Sequence, residues 1–63
     1  MKLVYIVIAC SVDGDSYYRI DSVWTSNRKA VKRKNELNEK GLEWLLENWG
    51  CGLFDIEYEF ISH

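Results

Sequence analysis

The sequence predicts a small α+β fold: a three-stranded, mainly antiparallel sheet of order 2-1-3 that carries one long and one short helix on one face. Three observations predict it. They are an uninterrupted apolar stretch near the N-terminus, an Asp-Gly turn signal after it, and a strictly alternating stretch near the C-terminus. Two stretches with helical periodicity lie between them. The element order is therefore β-β-α-(α)-β, in a single domain that covers residues 1–63.

The first strand is apolar on both faces. Residues 3–10 read Leu-Val-Tyr-Ile-Val-Ile-Ala-Cys, without one polar position. A strand with one face in water alternates apolar and polar residues, so this strand belongs in the middle of the sheet and requires cover on both sides. A chain of 63 residues can lay helices over one face but hardly over both. We therefore expect a homodimer that forms through the uncovered sheet face.

A hairpin should return the chain to the first strand. Asp13-Gly14 is a strong type I′ turn signal, because both central residues of that turn require positive φ. The returning strand is predicted over residues 17–24. Its apolar positions change phase before Val23 and Trp24, which indicates a bulge near Asp21-Ser22 or the end of the strand.

Two helices should follow. Thr25 or Ser26 can cap the first helix, which is predicted over residues 27–40 and should end at Gly41. In the second, residues 42–49, one face is formed at i, i+3, i+4 and i+7 by Leu42, Leu45, Leu46 and Trp49. Trp44 lies off this face and is expected to be exposed.

The last strand is predicted over residues 53–61. Four apolar residues alternate there with three acidic ones, which is typical of a half-buried strand: Phe54, Ile56, Tyr58 and Phe60, with Asp55, Glu57 and Glu59 between them. One net helical crossing makes this strand antiparallel to the first, which we favour; a full helical hairpin would make it parallel. The antiparallel arrangement brings Cys51 beside Cys10. We interpret both as small buried thiols, with a disulfide as the less favoured alternative.

No catalytic or metal signature is present. His63, the one histidine, is the final residue; the cysteines form no CxxC pair, and no glycine-rich loop precedes a helix. We therefore expect no enzymatic activity, no cofactor and no metal ion. No apolar run reaches the roughly 18 residues of a membrane span, so we expect no membrane association and a cytoplasmic location.

Charge is distributed unevenly. The net charge is −2, but residues 28–40 carry +4 and residues 41–63 carry −5. The basic helix offers four candidate nucleic-acid-binding residues: Arg28, Lys29, Lys32 and Arg33. A solvated helix face is the simpler interpretation and agrees with the acidic overall balance. Nucleic acid is therefore the alternative partner and not the expected one.

The acidic row and two tryptophans are the candidate partner-binding residues: Trp44, Trp49, Asp55, Glu57 and Glu59. Carboxylates on alternate strand residues lie about 6.8 Å apart, which approximates the spacing of phosphates in a nucleic acid. One interpretation of this row is therefore a mimic of a nucleic-acid strand. A soluble outer strand face that resists pairing is the simpler interpretation of that row. The tryptophans are the kind of anchor that protein interfaces prefer.

Several segments together carry a resemblance: Val4-Tyr5-Ile6-Val7, the segment from Ile20 to Ser26, the Lys- and Ala-bearing helix, and Ile56-Glu57-Tyr58-Glu59-Phe60. In these the chain is similar to very short bacteriophage proteins of the β-β-α-β type. The resemblance implies a non-enzymatic phage protein. As a homodimer it would inhibit a host protein, one of an anti-phage defence system, in the host cytoplasm. The alternatives are a nucleic-acid-binding or transcription-modulating protein that uses the basic helix, and a structural or assembly factor.

Overall fold

The computed structural model describes residues 2–12 and 17–62. Its elements are β1 (Lys2–Cys10), β2 (Tyr17–Trp24), α1 (Asn27–Asn38), α2 (Leu42–Asn48) and β3 (Leu53–Ile61). The sheet has the order β2-β1-β3, and β1 pairs antiparallel with both neighbours. The predicted fold class, strand order and direction of the third strand are confirmed. The turn predicted at Asp13-Gly14 lies outside the described residues.

Both helices pack on one face of the sheet. β1 and β3 pair without a shift from Lys2↔Ile61 to Cys10↔Leu53, so residues that lie opposite each other share a face. The buried core joins residues of β1 and β3 from one face to residues of both helices and of the segment after α2: Val7, Ala9, Phe54, Ala30, Leu37, Leu45 and Cys51. We call this side of the sheet the helix-covered face.

The opposite side, which we call the open face, has no element of the described chain packed on it. It carries alternate residues of all three strands: Val4, Ile6, Ile8, Cys10, Ile20, Val23, Asp55, Glu57 and Glu59. Val4 and Cys10 are buried by their neighbours, and Ile6 and Ile8 are half-buried. Ile20 and Val23, in contrast, are 57% and 53% exposed. Leu53 of β3, opposite Cys10, is 44% exposed on the same face. The uncovered apolar surface therefore lies mainly on β2, with Leu53 at one end of β3.

A bulge interrupts the pairing of β1 with β2. Val7 lies opposite Ser22 and Ile8 lies opposite Ile20, which leaves Asp21 as the extra residue. This confirms the bulge predicted near Asp21-Ser22. At the bulge, Ser22 Oγ donates to Asp21 Oδ2 at 2.8 Å and Trp24 Nε1 donates to Ser22 Oγ at 2.6 Å.

The ends of α1 differ in how well the sequence predicts them. Ser26 caps the N-terminus as expected, since its Oγ accepts from the Lys29 N–H at 3.3 Å. The helix ends at Asn38, earlier than predicted, and Gly41 instead precedes α2 with a φ of 93°. A side chain would be strained at that φ, so Gly41 allows the chain to turn between the helices.

The orientation of α2 corrects the sequence prediction. Leu45 is buried, but Leu42 and Leu46 are exposed, whereas Trp44 and Trp49 pack against the core. Trp44 is therefore not the exposed anchor that was predicted. Large aromatic rings bury more apolar surface than leucine side chains, and this orientation places both indoles against the sheet.

The helices cover only the first half of β3. Phe54 is buried and Ile56 is half-buried, but Tyr58 and Phe60 are 61% and 65% exposed. The apolar side of this half-buried strand is therefore buried at Phe54 and partly at Ile56, but not at Tyr58 and Phe60. Helices of 12 and 7 residues are about 18 Å and about 10 Å long, whereas a nine-residue strand extends about 30 Å.

Asn38, the last residue of α1, fastens the helix to the outer edge of β3. Its Nδ2 donates to the Phe54 carbonyl at 3.1 Å, and its Oδ1 accepts from the Phe54 N–H at 2.8 Å. A single amide side chain thus satisfies both outward backbone groups of a buried residue in the way that a neighbouring strand would.

We predict that Asn38→Ala lowers the free energy of unfolding by about 1–3 kcal/mol, because it leaves two backbone groups of Phe54 without partners. Asn48→Ala is the matched control. It also replaces the asparagine side chain at the end of a helix, but the hydrogen bond from that side chain to the Trp44 carbonyl is exposed. A change within about 0.5 kcal/mol is expected there. Urea unfolding followed by tryptophan fluorescence measures both, and equal effects would contradict the prediction.

Candidate functional site

The open face combines an apolar strip with an acidic border. Across the sheet, Ile6 lies opposite Val23 of β2 on one side and Glu57 of β3 on the other. Ile8 lies likewise between Ile20 and Asp55. Apolar side chains thus occupy the middle of β1 and β2, while the middle of β3 presents carboxylates, with Leu53 and Ile61 at the two ends of that strand. Such a surface favours a partner that buries the strip and leaves the carboxylates solvated or paired.

The acidic border consists of Asp55, Glu57 and Glu59, all of which are exposed. None of these three carboxylates takes part in an ion pair within the described residues. Lys2 lies on the same face at its far end, opposite Ile61. Asp55 Oδ1 also accepts from the Ile56 N–H at 2.8 Å. The border is therefore a net negative row along an edge strand, available to a cationic partner.

The basic helix brings together three of its four candidate residues. Arg28, Lys29 and Lys32 are exposed, and with Ser26 they line a pocket of about 300 Å³. Arg33 is not available in the same way. Its Nε and an Nη atom donate to the two oxygens of Asp21 at 2.8 and 2.9 Å.

The Asp21–Arg33 pair links α1 to the bulge of β2. The side chain of Asp21 is 7% exposed and that of Arg33 is 40% exposed. Hydrogen bonds from the Arg33 guanidinium hold the pKa of Asp21 below its ordinary value, and the same bonds raise the pKa of Arg33. Arg33 thus orients a helix and is not a free cation for a ligand.

The two candidate tryptophans contribute to packing. Trp49 meets Phe54 edge-to-face at 4.9 Å between ring centroids, and the Arg19 guanidinium carbon lies 4.5 Å from the centroid of the Trp49 ring. Lys40 Nζ lies 5.4 Å from the centroid of the Trp44 ring. Each indole therefore has a cation beside it and the core beneath it. The sequence analysis did not single out Arg19. Its position as an isolated arginine in an otherwise apolar stretch of a predicted strand is the signal that could have identified it.

The two cysteines are free and buried, which confirms the interpretation as small buried thiols. Their backbones are adjacent, since the Gly52 N–H donates to the Cys10 carbonyl at 3.0 Å. Burial raises the pKa of the Cys10 thiol and of the Cys51 thiol, which disfavours the reactive thiolate. Within residues 2–12 and 17–62, no three His, Cys, Asp or Glu side chains are grouped as a metal site requires.

No protein family, curated protein or solved structure matches this chain. Among the described helices, none has both the length and the apolar character needed to cross a membrane.

We predict that the stabilising effect of the Asp21 carboxylate depends on pH. Because its pKa is lowered on folding, the pair stabilises the protein fully above the unfolded pKa of about 4, and this stability is lost as pH falls through the lower folded pKa. Asp21→Asn should cost about 1–2 kcal/mol at neutral pH and progressively less in acid.

Thermal unfolding of the native protein and of Asp21→Asn across this pH range measures the effect. Arg33→Met provides the control, because Asp21→Asn should have a much smaller effect once the guanidinium is absent. The prediction would be contradicted if the difference in thermal stability between the native protein and Asp21→Asn stayed constant down to the most acidic pH.

Proposed function

We propose that this protein is a non-enzymatic protein-binding module that forms a homodimer through the open face of its sheet. The single observation that carries the proposal is the exposure of Ile20 and Val23, which lie beside Ile6 and Ile8 on a face that no described element covers. Burying apolar surface is the main driving force of association. A second copy offers the same strip, as a twofold interface requires.

The acidic border suits the rim of such an interface. Two sheets that pack face to face keep their strands nearly aligned. When the twofold axis runs parallel to the strands, β3 of each copy lies over β2 of the other, so the two rows of carboxylates stay apart. The side chains of the two β1 strands then meet at the centre. Each acidic row borders Ile20 and Val23 of the other copy at the rim, where Asp55, Glu57 and Glu59 remain hydrated.

The size of the face limits the strength of the dimer. Three strands of about 30 Å, spaced about 4.8 Å apart, form a flat face on the order of 400 Å² per copy. Stable interfaces bury about 800 Å² per partner. We therefore expect association that is reversible and depends on protein concentration.

The resemblance to very short phage proteins supports a host protein as the target. In this proposal the dimer occludes the surface of a bacterial protein of an anti-phage defence system, in the host cytoplasm, and performs no chemistry on it. Affinity capture from a bacterial lysate, with the native protein and a dimer-deficient variant as baits, tests the proposal. One host protein retained at fixed stoichiometry supports it, whereas retention of nucleic acid alone contradicts it.

The second candidate function is nucleic-acid binding through α1. The observation that favours it is the pocket lined by Ser26, Arg28, Lys29 and Lys32. Three cations that engage phosphates would release counterions, and log affinity should fall with log salt concentration with a slope of about −2 to −3.

We predict for the dimer that Ile20→Thr combined with Val23→Thr weakens self-association about tenfold or more. Threonine keeps the branch at Cβ but puts a hydroxyl group in place of a methyl group of valine or the ethyl group of isoleucine, and each change acts twice in a symmetric dimer. Leu42→Gln, at an apolar position of similar exposure on α2, is the control and should leave association unchanged. Sedimentation velocity over a wide concentration range measures it; a native protein that is monomeric throughout would refute the dimer.

For the second candidate, the prediction is that Lys29→Glu with Lys32→Glu abolishes any retention of DNA or RNA and reverses the charge of the pocket. Lys40→Glu serves as the control, since Lys40 lies beside Trp44 and not in the pocket. Filter binding at several salt concentrations measures the slope. Binding that is insensitive to salt or to the double substitution would exclude α1 as the nucleic-acid site.

A further inference from the structure

The outer edge of β3 is closed in its first half. Both backbone groups of Phe54 bond to the Asn38 side chain, so the polar backbone groups of Phe54 point away from β1. The pairing with β1 continues without a shift, and strand geometry repeats every two residues. The outward backbone groups of β3 therefore belong to Phe54, Ile56, Tyr58 and Phe60.

The second half of the same edge is open. The Ile56 N–H bonds to its neighbour Asp55 at 2.8 Å. Beyond it, no described residue supplies a hydrogen bond to the outward N–H and C=O groups of Tyr58 and Phe60. The side chains of these two residues are 61% and 65% exposed. Tyr5 lies beside them, with its ring 5.3 Å from that of Tyr58 and edge-to-face to it.

This open half combines what a strand-binding edge requires. A row of unpaired backbone groups provides hydrogen bonds, and exposed apolar side chains on one face provide contact area. On the other face of the same stretch stand Glu57 and Glu59, also exposed. An added strand would therefore meet apolar residues on the helix-covered face and carboxylates on the open face.

The carboxylates determine which strand can bind there. If a second copy added its own β3 antiparallel, with Tyr58 opposite Tyr58, Glu57 would face Glu59 at both ends of the pair. A shift that pairs Tyr58 with Phe60 would place Glu59 opposite Glu59. Like charges directly opposite each other destabilise a sheet, so this edge rejects its own copy and favours a strand with cations at those positions.

We propose that the open edge of β3 over residues 57–61 binds an extended segment of a partner protein in which apolar residues alternate with lysine or arginine. The segment continues the sheet by hydrogen bonds to the backbone of Tyr58 and Phe60. Its apolar residues pack against Tyr58 and Phe60, with the Tyr58 ring supported from behind by Tyr5, and its cations lie beside Glu57 and Glu59. The inference rests on the proposed protein-binding function and identifies the chemistry of the target.

The experiment uses the full chain and a short, end-capped peptide of alternating valine and lysine. Two comparison peptides replace lysine with glutamate, or keep the composition but separate the valines from the lysines. We expect only the alternating valine–lysine peptide to slow hydrogen exchange at the Tyr58 and Phe60 amides, as observed by NMR. The amides of α1 serve as the internal reference.

Tyr58→Pro tests the whole contact at Tyr58, because it removes the outward N–H together with the ring. Proline is tolerated where the N–H of an edge strand faces solvent. Glu57→Gln with Glu59→Gln tests the charge, and Asp55→Asn is the matched control in the closed half. We expect the proline variant and the double variant each to weaken peptide binding about tenfold, while Asp55→Asn changes it much less.

The outcomes separate the inference from the proposed function. Absent protection of the two amides, or undiminished binding by the double glutamine variant, overturns the inference whether or not Tyr58→Pro folds. Sedimentation of the native protein tests the dimer independently, because the apolar strip of that interface lies on β1 and β2. If the native protein is dimeric but does not bind the peptide, only the inference is refuted. If it is monomeric and binds the peptide, only the proposed dimer is refuted.

Discussion

The short length of the two helices determines which side chains of the sheet are buried and which are exposed. Two helices of 12 and 7 residues can shield part of one face of a three-stranded sheet and none of the other. The exposed apolar side chains of the described strands follow from that limit: Ile20, Val23 and Leu53 on the open face, and Tyr58 and Phe60 beyond the end of the helices. These side chains are exposed to solvent in the described chain.

Two polar contacts place the helical layer on the sheet. At one edge, the bulge at Asp21 allows a bidentate ion pair with Arg33 of α1. At the other edge, Asn38 at the end of the same helix bonds to the backbone of Phe54. α1 is thus fastened to both outer strands and crosses the central one. This explains how a helix with only two buried residues, Ala30 and Leu37, holds a defined position.

Charge is separated across the sheet. The cations of α1 lie on the helix-covered side, and Asp55, Glu57 and Glu59 lie on the open face. A cationic protein segment is therefore attracted to the open side and to the edge of β3, whereas a phosphate backbone is attracted to α1. The two proposed types of partner would approach opposite sides of the molecule, so binding of one type need not block the other.

The sequence determined the elements and their order. Alternation along β3, the unbroken apolar run of β1, the change of phase at Asp21 and the cap at Ser26 are local patterns, and each one corresponds to an element or a feature of the structure. The sequence also indicated correctly that one sheet face would lack cover, because that conclusion needs only the length of the chain and the composition of β1.

Only the tertiary structure decided which side chains remain available. Arg33 is engaged by Asp21, twelve residues away in sequence, and Asn38 bonds to Phe54, sixteen residues away. Trp44 turned inward, and Tyr58 and Phe60 remained exposed, because the position of the short helices on the sheet decides what they cover. Helical periodicity groups apolar residues on one side of α2, but it does not decide which side of the helix faces the sheet. That orientation depends on contacts between residues far apart in the chain.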